Sequence, residues 1–125
     1  MRWWFFARRY DLDVETAFAK RLRTVWAHLM NVAWLDGEAD WTKGRDFVLW
    51  DGTRIKVLDV RAPHLLRFHW IPAVGERTTV ELTLSMLPNG KTQARIHHEG
   101  LTSGEQRDKF QIRWEKSMES VRKTL

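Results

Sequence analysis

The chain of 125 residues contains no cysteine. Disulfides, thiolate metal sites and cysteine nucleophiles are excluded together, and the composition is one that a reducing cytoplasm allows. Proline is scarce at three residues and glycine at seven, so turns can be marked at few places and no low-complexity linker or internal repeat is present. No apolar run approaches the roughly 18 residues that a membrane span needs. Met1-Arg2-Trp3-Trp4-Phe5-Phe6 has the charged start of an export signal, but Arg8, Arg9 and Asp11 interrupt it before an apolar region can develop, which reads as mature protein. A His-Glu-x-x-His pair, a phosphate-cradling glycine loop and a Gly-x-Ser-x-Gly elbow are all missing. Ser85, Ser103, Ser117 and Ser120 carry no local sign of activation, so no cofactor, metal or catalytic residue is expected.

Charge of one sign is only mildly in excess, with 21 Lys and Arg against 16 Asp and Glu for a net +5. The basic residues are interleaved with acids, as in Arg54, Lys56, Asp59 and Arg61, so no specific nucleic-acid partner is expected. The densest cluster, Arg8, Arg9, Lys20, Arg21 and Arg23, reads as a solvated helix face, with a phosphate-binding face as the alternative.

What the chain does have is alternation. The length suits one domain that buries a core without covalent staples. From Thr78 to Met86, Val80, Leu82, Leu84 and Met86 share one phase and Thr79, Glu81, Thr83 and Ser85 the other. Pro88-Asn89-Gly90 supplies a turn, after which Thr92, Ala94, Ile96 and His98 alternate against Gln93, Arg95, His97 and Glu99 until Gly100. Earlier, Phe47 to Trp50 and Thr53 to Val60 flank a two-residue hairpin signal at Asp51-Gly52, and Leu65 to Trp70 forms another strand beyond Ala62-Pro63-His64. A further edge strand is expected over residues 3–10.

Two helical patterns frame these strands. Asp13 is a candidate cap for Val14, Ala17, Phe18, Leu22, Val25, Trp26, Leu29 and Met30, which recur at three and four. Val32 to Trp41 reads as a second, shorter helical or irregular piece broken at Asp36-Gly37. At the other end, Ser103 or Thr102 can cap a long helix whose stripe is Phe110, Trp114, Met118, Val121 and Leu125. An antiparallel sheet with one bare apolar face needs a cover, and this helix supplies it.

In this order the elements resemble the helix-grip fold of the START and birch-pollen-allergen (SRPBCC) superfamily. Within it, the chain is similar to bacterial proteins related to the C-terminal domain of the activator of the heat-shock chaperone ATPase. The resemblance rests on Val25-Trp26-Ala27-His28-Leu29, on Val57-Leu58-Asp59-Val60-Arg61-Ala62-Pro63 and on Leu66-Arg67-Phe68-His69-Trp70. It continues through Thr92-Gln93-Ala94-Arg95-Ile96-His97-His98-Glu99-Gly100-Leu101 to Trp114, Met118, Val121 and Leu125, and so covers residues 24–125. Residues 1–23 match the family's opening strand poorly, and the tryptophan expected some dozen residues after that of the first helix has no single equivalent here, Trp34 being early and Trp41 late. The resemblance implies an α+β fold in which a curved antiparallel sheet wraps a long C-terminal helix, with two shorter helices near the N-terminus.

It also implies an apolar cavity between sheet and helix. The residues in phase to line it are Phe47, Leu49, Val57, Phe68, Trp70, Leu82, Leu84, Ile96, His98, Phe110, Trp114 and Met118, and a core filled by the same side chains is the alternative. His98 and Asp59 share the inward phase and could orient a ligand carbonyl or phenol. His97-His98-Glu99 cannot converge on one ion, because adjacent strand residues point to opposite faces. Three functions follow: binding of a small hydrophobic molecule such as a lipid, polyketide or aromatic compound; a chaperone-associated protein-interaction module or homodimer; and a cyclase- or hydrolase-type enzyme using His98. The first is the expectation carried forward.

Overall fold

The computed structural model describes residues 10–125. The expected edge strand over residues 3–10 therefore lies outside the described residues except for Tyr10, which sits in a turn. Six strands form one antiparallel sheet: β1 (Leu12–Phe18), β2 (Asp46–Val48), β3 (Arg54–Arg61), β4 (Leu65–Ile71), β5 (Thr78–Met86) and β6 (Thr92–Glu99), in the spatial order β1-β6-β5-β4-β3-β2. Helix α1 (Leu22–Asn31) follows β1, and the long α2 (Gly104–Thr124) closes the chain. This is the expected α+β helix-grip arrangement with a curved sheet.

The N-terminal third corrects the reading of the pattern. Residues from Leu12 to Phe18 form a strand, not the opening turns of a helix, with Leu12, Val14 and Phe18 buried and Asp13 and Glu15 outside. The stretch fits both templates, since Val14, Ala17 and Phe18 recur at helical spacing while Leu12, Val14, Thr16 and Phe18 alternate. The open edge of β6 decides between them by pairing β1 from Leu12 opposite His98 to Phe18 opposite Thr92. Asp13 consequently caps nothing. Burial alone would raise its carboxyl, but hydrogen bonds from His97 and Arg95 outweigh that and hold it below its ordinary value.

Helix α1 starts only at Leu22, after an Arg21 whose side chain makes no capping bond. It is the one short α-helix among the described residues, because residues 32–45 are irregular rather than helical. That segment carries its own anchors. Trp34 donates to Leu29 O at 3.1 Å and stacks on Trp41 with ring centroids 5.5 Å apart. Gly37 lets the segment pass against the sheet: its φ is +154°, and a Cβ there would stand 3.0 Å from Leu49 Cα.

The first hairpin is also one residue longer than its signal. Leu49 N bonds Thr53 O, so Trp50, Asp51 and Gly52 form the loop and β2 ends at Val48. In β3 a register shift between Val57 and Asp59 breaks the alternation. Asp59 therefore does not share the inward side with His98; it binds Arg61 at 2.8 Å and faces Lys43.

Elsewhere the phases hold. Ile55, Val57, Leu66, Phe68, Trp70, Val80, Leu82, Leu84, Ala94 and Ile96 are buried against Trp114, Met118 and Val121 of α2 and Val25, Trp26 and Leu29 of α1. Each fully buried large side chain contributes about 1.5–3 kcal/mol. Ser103 is the cap of α2, its hydroxyl accepting from Gln106 N at 3.1 Å, while Gln106 Oε1 accepts from Thr102 N at 2.9 Å. This exchange of bonds fixes where the helix starts over the sheet.

Candidate functional site

A cleft of about 390 Å³ opens where the N-terminal half of α2 crosses the ends of β3, β4 and β5. Trp70, at the end of β4, and Phe110, on α2, form its apolar wall, with ring centroids 5.6 Å apart and edge to face. Trp114 backs this wall at 5.4 Å from Trp70. The stripe of α2 thus does two jobs: its inner positions pack the core, and Phe110, a turn earlier, reaches the opening.

The polar groups of the cleft come from three elements. Arg113 lies over the Trp70 ring at 4.6 Å and faces Asp36 at 3.6 Å and Asp51 at 3.9 Å. Its Nη2 is buried and makes no hydrogen bond. Asp51 accepts from Thr53 N at 2.9 Å; that bond outweighs burial and, with the charge of Arg113, holds the carboxyl below its ordinary value. Gln106 and Lys109 add to the α2 side, and Glu76 and Thr78 to the β5 side.

Behind Thr78 runs a buried chain of hydrogen bonds. Trp114 Nε1 donates to His98 Nδ1 at 3.1 Å, and His98 Nε2 lies 2.7 Å from Thr78 Oγ1. An indole N–H can only donate, so Nδ1 accepts and the proton of the neutral ring sits on Nε2. Thr78 Oγ1 then accepts from His98 and keeps its own proton for a further acceptor. Burial, with the nearby His97 adding to it, lowers the His98 pKa to about 3, so the ring is neutral near pH 7. A general base needs a free lone pair, and that of His98 is taken.

The expected lining residues divide into two groups. Trp70 and Phe110 line the cleft, and Trp114 and His98 stand directly behind it. Leu49, Val57, Phe68, Leu82, Leu84, Ile96 and Met118 are buried in the packed core, and Phe47 is half-buried with its ring 5.0 Å from Trp41. Thr53, Thr78, Gln106, Lys109 and Arg113 were not among the expected residues. Thr78 could have been found as a polar residue in the inward phase of β5. Arg113 falls three positions after Phe110, one turn along the same side of the helix.

The outer face of the sheet holds a second group of polar residues. Asp11, His97 and Glu99 each bring one ligand-capable atom within 4.8 Å of the other two. As expected, His98 is not part of it.

The family model for Activator of Hsp90 ATPase homolog 1-like protein matches residues 19–125. Among solved structures, CalU16 from Micromonospora echinospora aligns with a TM-score of 0.78 at 19% identity, over 89% of this chain and 71% of that one. DynU16, a protein in the dynemicin biosynthetic locus, aligns with a TM-score of 0.77 at 20% identity, over 90% of this chain but only 46% of its own. The Aha1 dimer from Colwellia psychrerythraea aligns at 0.76 and 12% identity, over 92% of this chain and 95% of that one. At these identities the likeness is one of fold. The comparison with curated proteins gives no match.

Proposed function

The chain belongs to the family of Activator of Hsp90 ATPase homolog 1-like proteins, and from that premise we propose that it binds a small, largely apolar molecule in the cleft between sheet and α2. The observation that carries this reading is the chain Trp114–His98–Thr78, which ends on a hydroxyl at the cleft with a proton to give. A carbonyl or phenolic oxygen is its complement. Phe110 offers apolar surface to an aromatic body with the nearly buried Trp70 behind it, while Lys109 and Arg113 stand opposite the carboxylates of Asp51 and Glu76. A volume of about 390 Å³ lies toward the small end of ligand sites and suits a compact aromatic or polyketide-like compound better than a long acyl chain. The place of DynU16 in a biosynthetic locus supports a small-molecule role.

The test is a thermal-shift and tryptophan-fluorescence titration with hydroxylated aromatic acids, flavonoids and fatty acids. Saturable quenching with stabilisation by the aromatic acids supports the reading; no response from any class contradicts it. A second reading is docking of a protein or a second copy, favoured by Trp50 and Val74, which are 79% and 92% exposed beside the cleft. Size-exclusion chromatography with light scattering separates the two, since only the second predicts concentration-dependent association that Trp50→Ser reduces.

A further inference from the structure

The outer face of the sheet, opposite α2, carries three side chains arranged as ligands of one ion. His97 Nε2 stands 3.8 Å from Asp11 Oδ2 and 3.8 Å from Glu99 Oε2. All three atoms lie within 4.8 Å of one another. At 3.8 Å each carboxylate is beyond hydrogen-bond reach of His97 Nε2, though within ion-pair range. Donors that share an ion at about 2.1 Å stand about 3.0–3.6 Å apart, so the two His97 pairs would close by a few tenths of an ångström, and the Asp11–Glu99 pair, within 4.8 Å, by up to about 1–2 Å.

Each ligand is also held from behind. His97 Nδ1 faces Asp13 Oδ1 at 2.9 Å, which leaves Nε2 in front, and a carboxylate in that position makes the imidazole a better ligand. Asp11 Oδ1 accepts from Gly100 N at 3.3 Å, leaving Oδ2 to the front. Glu99 Oε1 faces Arg67 Nη2 at 3.7 Å, leaving Oε2. Arg95 is engaged with Asp13 at 2.6 Å, behind the His97 ring. Glu81, the register partner of His97 on β5, adds a further acid to the neighbourhood.

The geometry points to a divalent transition-metal site, with His97 Nε2, Asp11 and Glu99 as ligands and water completing the coordination. One imidazole and two carboxylates suit Zn²⁺, Co²⁺ or Ni²⁺; the imidazole disfavours Mg²⁺ and Ca²⁺. Asp11 immediately precedes β1 and Glu99 ends β6, so the ion would clip the two strands at one end of their ladder. Binding only to the folded chain, it would also stabilise that chain by mass action. The site is independent of the cleft.

The full chain without an affinity tag is titrated with Co²⁺, followed by its visible absorption, and then with Zn²⁺. The expected result is one equivalent of Co²⁺ bound with a saturable spectrum, displacement by Zn²⁺ and a rise in Tm. His97→Gln and Asp11→Asn should each weaken binding about tenfold or more, while Glu15→Gln, elsewhere on β1, leaves it unchanged. Absence of a saturable Co²⁺ spectrum overturns the site. So does a titration that His97→Gln leaves unaltered, which would assign the metal to His28, His64 or His69.

Discussion

Trp114 fixes the tautomer of His98: its indole N–H occupies Nδ1 at 3.1 Å and so places the ring proton on the nitrogen that faces Thr78. A histidine deep in a core becomes in this way a fixed donor one bond behind the cleft. Its consequences can be measured.

The first is pH dependence. The His98 pKa is lowered to about 3 in the folded chain from a usual 6.5. Below pH 6.5 the unfolded chain therefore takes up this proton first, and stability is lost as the pH falls toward about 3, at about 1.4 kcal/mol per pH unit. Above 6.5 both states are neutral here and the contribution is complete. The pKa of His69 is lowered too, by burial and then by Arg77 and Arg67, and adds in the same direction. Denaturant unfolding between pH 7 and 5 should show a shallower slope for His98→Gln than for the wild type. An identical slope would show that His98 is not buried neutral.

The second concerns Thr78. Thr78→Val keeps the shape and removes the hydroxyl, so ligands with a carbonyl or phenol should lose about 1 kcal/mol, or about fivefold in Kd. Apolar analogues without an acceptor should bind the variant as well as the wild type. Isothermal titration with a matched pair of compounds checks both halves.

A third prediction tests the charge of Arg113. Arg113→Met keeps an apolar cover over Trp70 and removes the charge, so the preference for an aromatic carboxylate over its amide should shrink several-fold. Lys123→Ala, on the solvent side of α2, should leave it unchanged. Equal losses in both would indicate a general effect of net charge.

The fourth is structural. Gly37→Ala meets Leu49 Cα at 3.0 Å, a backbone atom that cannot swing away, and strains a φ of +154°. A loss of about 1–3 kcal/mol in denaturant unfolding is expected. A neutral result would show that residues 32–45 do not depend on close passage by the sheet.

These expectations depend on parts of the molecule that were legible to different degrees in the sequence. The β4–β6 phases were plain, because Leu66, Phe68, Val80, Leu82, Ala94 and Ile96 alternate without interruption and each strand is wet on its other face. Leu12 to Phe18 was ambiguous, since the choice between strand and helix is made by the edge of β6, some 80 residues away in the chain. The inward set from Phe47 to Met118 identified the core better than the opening of the cleft. Periodicity reports which face is dry, whereas a cleft depends on where elements end. Asp59 was misplaced by a register shift that no local pattern announces. The convergence of Asp11, His97 and Glu99 needed the pairing of β1 with β6, and so could not be read along either strand alone.

The most direct measurement is a ¹H–¹⁵N spectrum of the indole N–H groups during titration with a hydroxynaphthoate. The account predicts saturable shifts for Trp70, at the wall, and Trp114, through its bond to His98, with the Trp34 and Trp41 signals still. Binding that shifts Trp34 and Trp41 but leaves Trp70 unmoved, or no shift at millimolar ligand in a folded protein, would contradict it.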